Sequence, residues 1–218
     1  MNPTRLLSSL LPHLAAALIA IFFCIVNTCP LLFADKLPEV DSLFSALLQG
    51  QAVSLPLMLF PVILTFVLPD GPTTVKSWFA RPNCTLRGLI WLFVMMFLSS
   101  TIILTVLSPA EDQPIVAIFK LLQGWQIGVI ATFICLIVPF VEELLYRGVM
   151  TRGLPTHVAL IYSSILFALS HGVNVYLLPL FLTGWMLGII RLRTGSLYTS
   201  VACHAAFNTL SLLLATFA

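Results

Sequence analysis

Three short patterns near the C-terminal end of this 218-residue chain set ionisable or hydrogen-bonding side chains inside apolar runs. The first is Glu142-Glu143-Leu144-Leu145-Tyr146-Arg147-Gly148, which continues an apolar helix. Glu143 and Arg147 stand four residues apart, share one helical face and can neutralise each other. Glu142 lies about 100° further round the helix. It is a buried carboxylate with no local counter-ion, the kind of group that serves as a general base or acid. A glutamate pair beside an arginine can equally mark a helix end at a membrane interface. The second pattern is Phe167-Ala168-Leu169-Ser170-His171-Gly172, with Phe167 one turn before His171 on the same face. A single histidine there can be a satisfied core residue. The third is His204-Ala205-Ala206-Phe207-Asn208, whose polar members are again four apart. Such a stripe can simply join helices by hydrogen bonds. An ionisable group within a span costs about 2.5–3.5 kcal/mol on insertion scales. Three separate accidents of this kind are harder to accept than one shared polar cavity, which accounts for all three patterns.

The elements that must position these residues are membrane helices. Only 8% of the residues are charged and 60% are hydrophobic, against about 25% charged in a soluble domain. The mean hydropathy of +1.08 makes lipid the natural solvent for most of the surface. Seven stretches approach the roughly 20 apolar residues that a hydrocarbon core requires. They run from Leu6 to Ala34, Phe44 to Leu68, Gly88 to Leu107, Leu121 past Phe140 into Glu142-Glu143, Pro155 to Ser170, Val175 to Ile190, and Leu197 to Phe217. Pro56 and Pro61 are expected to kink the second. The expected fold is therefore all-α: one membrane domain over 1–218, about seven helices with room for an eighth half-length or re-entrant segment, and a polar cavity within the bilayer.

Seven spans put Arg5, Lys76, Arg81, Arg87, Arg147, Arg152, Arg191 and Arg193 on one side. Asp35, Glu39, Asp41, Glu111 and Asp112 fall on the other. This positive-inside pattern places the N-terminus in the cytoplasm and the C-terminus outside, although Lys36 and Lys120 break it. The compact length and short loops suggest a prokaryotic cell membrane. The segment from Pro69 to Arg87 reads as a cytoplasmic loop, with Trp78 and Phe79 at the lipid interface. His13 and His157 read as interface residues. The five cysteines form no CxxC pair and read as small buried hydrophobes. The net charge of +2 comes without a dense Lys/Arg cluster, which argues against nucleic acid as a partner.

The ordered trio Glu-Glu-x-x-x-Arg, Phe-x-x-x-His and His-x-x-x-Asn, on apolar helices over residues 131–210, resembles the CAAX-protease and bacteriocin-processing (CPBP, or Abi) family of intramembrane endopeptidases. Gly148 after the arginine and the stretch from Gly184 to Gly195 add to the likeness. The resemblance implies that Glu142 activates the attacking water and that His171 helps to hold it. His204 and Asn208 would stabilise the oxyanion, while Glu143 and Arg147 would fix the helix and orient Glu142. The implied substrate is a membrane-associated protein or peptide. In prenylating cells the family trims the C-terminal tripeptide of lipidated CAAX proteins, and bacterial relatives process peptides, bacteriocin precursors or sorting signals.

Two questions stay open at this level. Glu142, His171 and His204 could instead form an oxygen–nitrogen–nitrogen set for a divalent metal such as zinc. There is no HExxH pair, and a metal-independent glutamate mechanism, with no cofactor, is the favoured expectation. The same fold could also serve a non-catalytic immunity or binding protein. A proton-coupled transporter is a further alternative, disfavoured because no inverted repeat is visible. Geometry adds one condition. His171 ends a helix that began at the face where Glu142's helix ends, so that helix must start well outside the hydrocarbon or stop within the membrane.

Overall fold

The computed structural model describes residues 3–33, 40–69, 71–107, 121–122 and 124–217. The described residues form helices and no strands, as composition requires. In chain order they are α1 (Pro3–Phe33), α2 (Val40–Val67), α3 (Gly71–Trp78), α4 (Leu86–Leu107), α5 (Trp125–Val149), α6 (Thr156–Ser170), α7 (Leu177–Thr194) and α8 (Leu197–Phe217). Five of these, α1, α2, α5, α7 and α8, are long and apolar enough to cross a bilayer. The remaining two expected spans correspond to α4 and α6, whose apolar parts are shorter.

The helices turn leucine and isoleucine outward. On α1, Leu14, Leu18 and Ile25 are each 58% exposed, while Ala16, Ala20 and Phe23 on the opposite face are buried. In water that outer stripe would be an aggregation surface; in lipid it is solvated. The inward faces carry small residues and hydroxyls, which let helices approach closely. Gly184 of α7 lies against Phe167 and Ser164 of α6, and Gly188 lies against Leu160. Ser100 of α4 and Thr183 of α7 share a buried 2.8 Å hydrogen bond.

Helix α5 is the centre of the bundle. Residues 141–150 are all buried, the signature of a helix surrounded on every side. Two π-helical turns interrupt it, Phe133–Ile137 and Leu144–Val149. The first has a local cause. In this register the amide of Val138 bonds to the carbonyl of Phe133. The next carbonyl, Ile134, would need the amide of residue 139, which is proline and has none. The orphaned oxygen accepts a 2.9 Å hydrogen bond from Asn208 Nδ2 of α8. That is the kind of repair a broken membrane helix needs.

The segment expected to be a cytoplasmic loop contains α3, and Trp78 is buried rather than at the lipid interface as expected. Trp78 is only 4% exposed and belongs to the main core. A methyl group at Gly148 would come within 2.8 Å of its ring, so the glycine makes room for the indole. Phe79 packs between Phe140 and Tyr198. An apolar ring beside a close-packed α5 is better buried than left in a polar loop.

The loops that bear basic residues meet at one end of the bundle. The amide of Asn83 donates to the carbonyl of Thr194 at 2.7 Å. His13 Nε2 donates to the carbonyl of Arg152 at 2.8 Å, so this histidine ties α1 to the α5–α6 turn. His157 is exposed. The side chains of Arg5 and Asp41, and all of Asp35, Lys36, Glu39, Glu111, Asp112 and Lys120, lie outside the described residues. Cys135 and Cys203 are buried and Cys24 half-buried, but Cys84 is exposed in a loop, contrary to expectation; the Cys29 side chain is outside the described set.

Candidate active site

Helix α6 is short enough to satisfy the geometric condition. Its 15 residues span about 22 Å at 1.5 Å per residue, less than the roughly 30 Å of a hydrocarbon core. A helix that stops within the membrane leaves carbonyls in need of donors. Helix α1 supplies one donor, and an acceptor for an amide just beyond the helix end. Asn27 Nδ2 donates to the carbonyl of Ser170 at 2.7 Å, and Thr28 Oγ1 accepts from the amide of Val173 at 3.0 Å. The chain leaves α6 through Gly172 at φ 89°, a left-handed conformation that glycine adopts without strain. A Cβ there would also lie 3.0 Å from the Asn27 carbonyl oxygen. This termination sets His171 at the end of α6, beside Glu142 of α5.

The three sequence patterns meet at Glu142. Its side chain is 5% exposed, and its two oxygens face two different histidines. His171 Nε2 lies 3.6 Å from Oε1, and His204 Nε2 lies 3.7 Å from Oε2. Both gaps exceed direct hydrogen-bond length. The other nitrogen of each ring is engaged. His171 Nδ1 lies 2.8 Å from the carbonyl of Phe167, which can only accept, so this nitrogen carries a proton. His204 Nδ1 lies 3.0 Å from Glu143 Oε1 and donates to that carboxylate. Each histidine therefore has a held Nδ1 and presents Nε2 to Glu142.

Glu143 and Arg147 form the expected ion pair at 3.0 Å, and both side chains are fully buried. Arg147 Nη2 also donates to the carbonyl of Gly184 at 2.9 Å. Its guanidinium lies 4.6 Å from the centre of the Phe167 ring, a cation–π contact strengthened by the absence of water. The Phe167 ring further packs 4.8 Å from His171 and 5.7 Å from His204. Phe167 thus packs against the guanidinium and both imidazoles.

Glu142, His171 and His204 come together, with Glu143, Arg147 and Phe167 directly behind them. Asn208 stands one turn beyond His204 and is half-buried, with one Nδ2 hydrogen on the Ile134 carbonyl. Sequence reasoning missed Asn27 and Thr28, because no pattern links α1 to the end of α6. It also missed the Asn208–Ile134 bond, for which Pro139 inside an apolar run was the available signal.

His171 and His204 approach opposite oxygens of the Glu142 carboxylate. Among the described residues no three His, Cys, Asp or Glu side chains converge on a common point suited to a cation.

Access differs among the three. His171 is 34% exposed, whereas Glu142 and His204 are at 5% and 4%. The cluster is therefore approached from the His171 side. No curated protein and no solved structure matched the chain. Residues 123–210, which carry all three patterns, match the family described as type II CAAX prenyl endopeptidase Rce1-like, in line with what the patterns resemble.

Proposed function

We propose that the chain is an intramembrane endopeptidase in which Glu142 activates water against a peptide bond of a membrane-associated protein or peptide. The family match supports a CAAX-type protease. The observation that carries the mechanism is the pair of imidazole Nε2 atoms, 3.6 and 3.7 Å from the two oxygens of one buried carboxylate. A water about 2.8 Å from both partners fits beside either gap. With its proton on Nδ1, neutral His171 offers a lone pair at Nε2 and holds one hydrogen of that water. Glu142 takes the other hydrogen as the oxygen attacks the peptide carbonyl.

The developing oxyanion needs donors. In its doubly protonated form His204 donates Nδ1–H to Glu143 and Nε2–H to the oxyanion. Two carboxylates, one guanidinium and one imidazolium then sum to zero, the balance that a low-dielectric site favours. The second Nδ2 hydrogen of Asn208 is available to the same oxyanion. Protonated Glu142 passes its proton to the leaving amine, and the carbon–nitrogen bond breaks. Glu143, Arg147 and Phe167 act through His204 as positioning residues. The N-terminus is assigned to the cytoplasm, so that the basic loops lie on the inner side.

The test is digestion of a membrane-substrate library by purified wild type and Glu142→Gln, each with and without a strong chelator. Products that vanish in Glu142→Gln and survive chelation support the reading. Products lost on chelation and restored by zinc assign Glu142, His171 and His204 to a metal instead. Identical profiles from the two proteins favour a binding or immunity function on the same fold.

A further inference from the structure

A second polar site lies at the other end of α6. Leu10 and His13 of α1, Arg152, Gly153 and Leu154 of the turn after α5, and Val158 and Tyr162 of α6 line a cavity of about 270 Å³. Val158 is 13 residues from His171, or about 20 Å along the helix, so the cavity is separate from the Glu142 cluster.

Its polar groups are incompletely matched by the protein. Among the described residues, Arg152 Nη1 is buried without a hydrogen-bond acceptor, and His13 Nδ1 is buried without a partner. No described carboxylate lies within ion-pair distance of Arg152. A guanidinium nitrogen out of water and without an acceptor is costly, and a phosphate oxygen is its best geometric complement. Apart from Tyr162, the remaining wall is aliphatic and runs into the outer face of the bundle. Leu10 is 51% exposed, Leu14 58%, Val158 41% and Ile161 43%. A cationic head beside a lipid-facing aliphatic groove matches an amphiphile better than a free ion. The site also sits at the end of the bundle where the basic loops gather, the position at which anionic headgroups are recognised.

We propose that the cavity between the starts of α1 and α6 binds the phosphate of an anionic phospholipid, held by Arg152 and flanked by His13, with its acyl chains along Leu10, Leu14 and Val158. The lipid would tie α1 to the turn that follows the Glu142 helix, supplementing the bond from His13 to the Arg152 carbonyl.

The experiment is native mass spectrometry of the full chain titrated with phosphatidylglycerol, phosphatidylcholine or inorganic phosphate. Wild type should retain phosphatidylglycerol about tenfold more tightly than phosphatidylcholine. Arg152→Gln should abolish that preference, and Arg152→Lys should restore part of it. Arg193→Gln removes a charge from an exposed residue at the same end and should leave the preference intact. Val158→Trp fills the aliphatic side and should weaken lipid retention even if Arg152→Gln fails to fold. The proposal is overturned if Arg152→Gln binds as wild type does, or if Arg193→Gln loses as much as Arg152→Gln. Displacement of phosphatidylglycerol by equimolar inorganic phosphate would also overturn it, by showing a small-anion site.

Discussion

Arg147→Met tests the positioning cluster most sharply. The substitution keeps an unbranched, apolar-compatible side chain but removes the main contacts of the guanidinium. These are the 3.0 Å ion pair with Glu143, the 2.9 Å bond to the Gly184 carbonyl and the cation–π contact on Phe167. Removing one partner of a buried pair costs about 3–5 kcal/mol, because the other charge stays buried. His204 still holds Glu143, which keeps the loss within that range rather than above it. For a chain of this size each kcal/mol shifts the midpoint by about 2–4 °C, so unfolding should fall by roughly 6–20 °C. The assay is thermal unfolding in detergent at fixed scan rate. Adding Glu143→Gln to Arg147→Met removes the stranded carboxylate and should recover a substantial part of the loss. Arg147→Lys should not, since one ammonium cannot reproduce the fork between Glu143 and Gly184. A midpoint for Arg147→Met within about 2 °C of wild type, below even a single kcal/mol, would refute the reasoning.

Three further outcomes follow from the geometry. Asn208→Ala should lower turnover by about 10²–10³ if its second hydrogen reaches the oxyanion. Pro139→Ala, which supplies an amide to Ile134, should rescue turnover only if Asn208 serves α5 alone; kinetics of the single and double variants decide this. Gly148→Ala should destabilise by about 1–3 kcal/mol through overpacking against Trp78, and Trp78→Ala should relieve that clash in the double variant; thermal unfolding reads both. Chelation should leave peptide hydrolysis unchanged, and added zinc should not raise it; loss on chelation would contradict the metal-free mechanism.

The hydropathy pattern made the helices legible, because each span is a continuous apolar run that can satisfy its backbone only as a helix. The spacing of Glu143 and Arg147 likewise gave their ion pair, since four residues is one helical turn. The bond between His204 and Glu143 was not legible: it joins residues 61 positions apart through the packing of α8 on α5, which no local spacing encodes. Glu142 looked like a carboxylate alone, because both of its neighbours come from other helices. The π-helical turns escaped notice for a different reason. A π turn changes the hydrogen-bond register by one residue and leaves the apolar pattern intact, so Pro139 was its one visible mark. Trp78 was misplaced because eight residues of weak hydrophobicity between prolines look like a loop, whereas the gap left by Gly148 on another helix is what draws the indole inward. The short α6 was visible in its length, but its termination by Asn27 and Thr28 depends on tertiary contacts.

The most direct measurement is cleavage of a membrane-bound peptide in ¹⁸O-labelled water, read as the mass of the new C-terminus, for wild type and Glu142→Gln. The account predicts that the wild-type product carries a single labelled oxygen from the attacking water, and that Glu142→Gln, folded as judged by the same unfolding midpoint, gives no product. Equal amounts of labelled product from both proteins would contradict the assignment of Glu142 as the group that activates water.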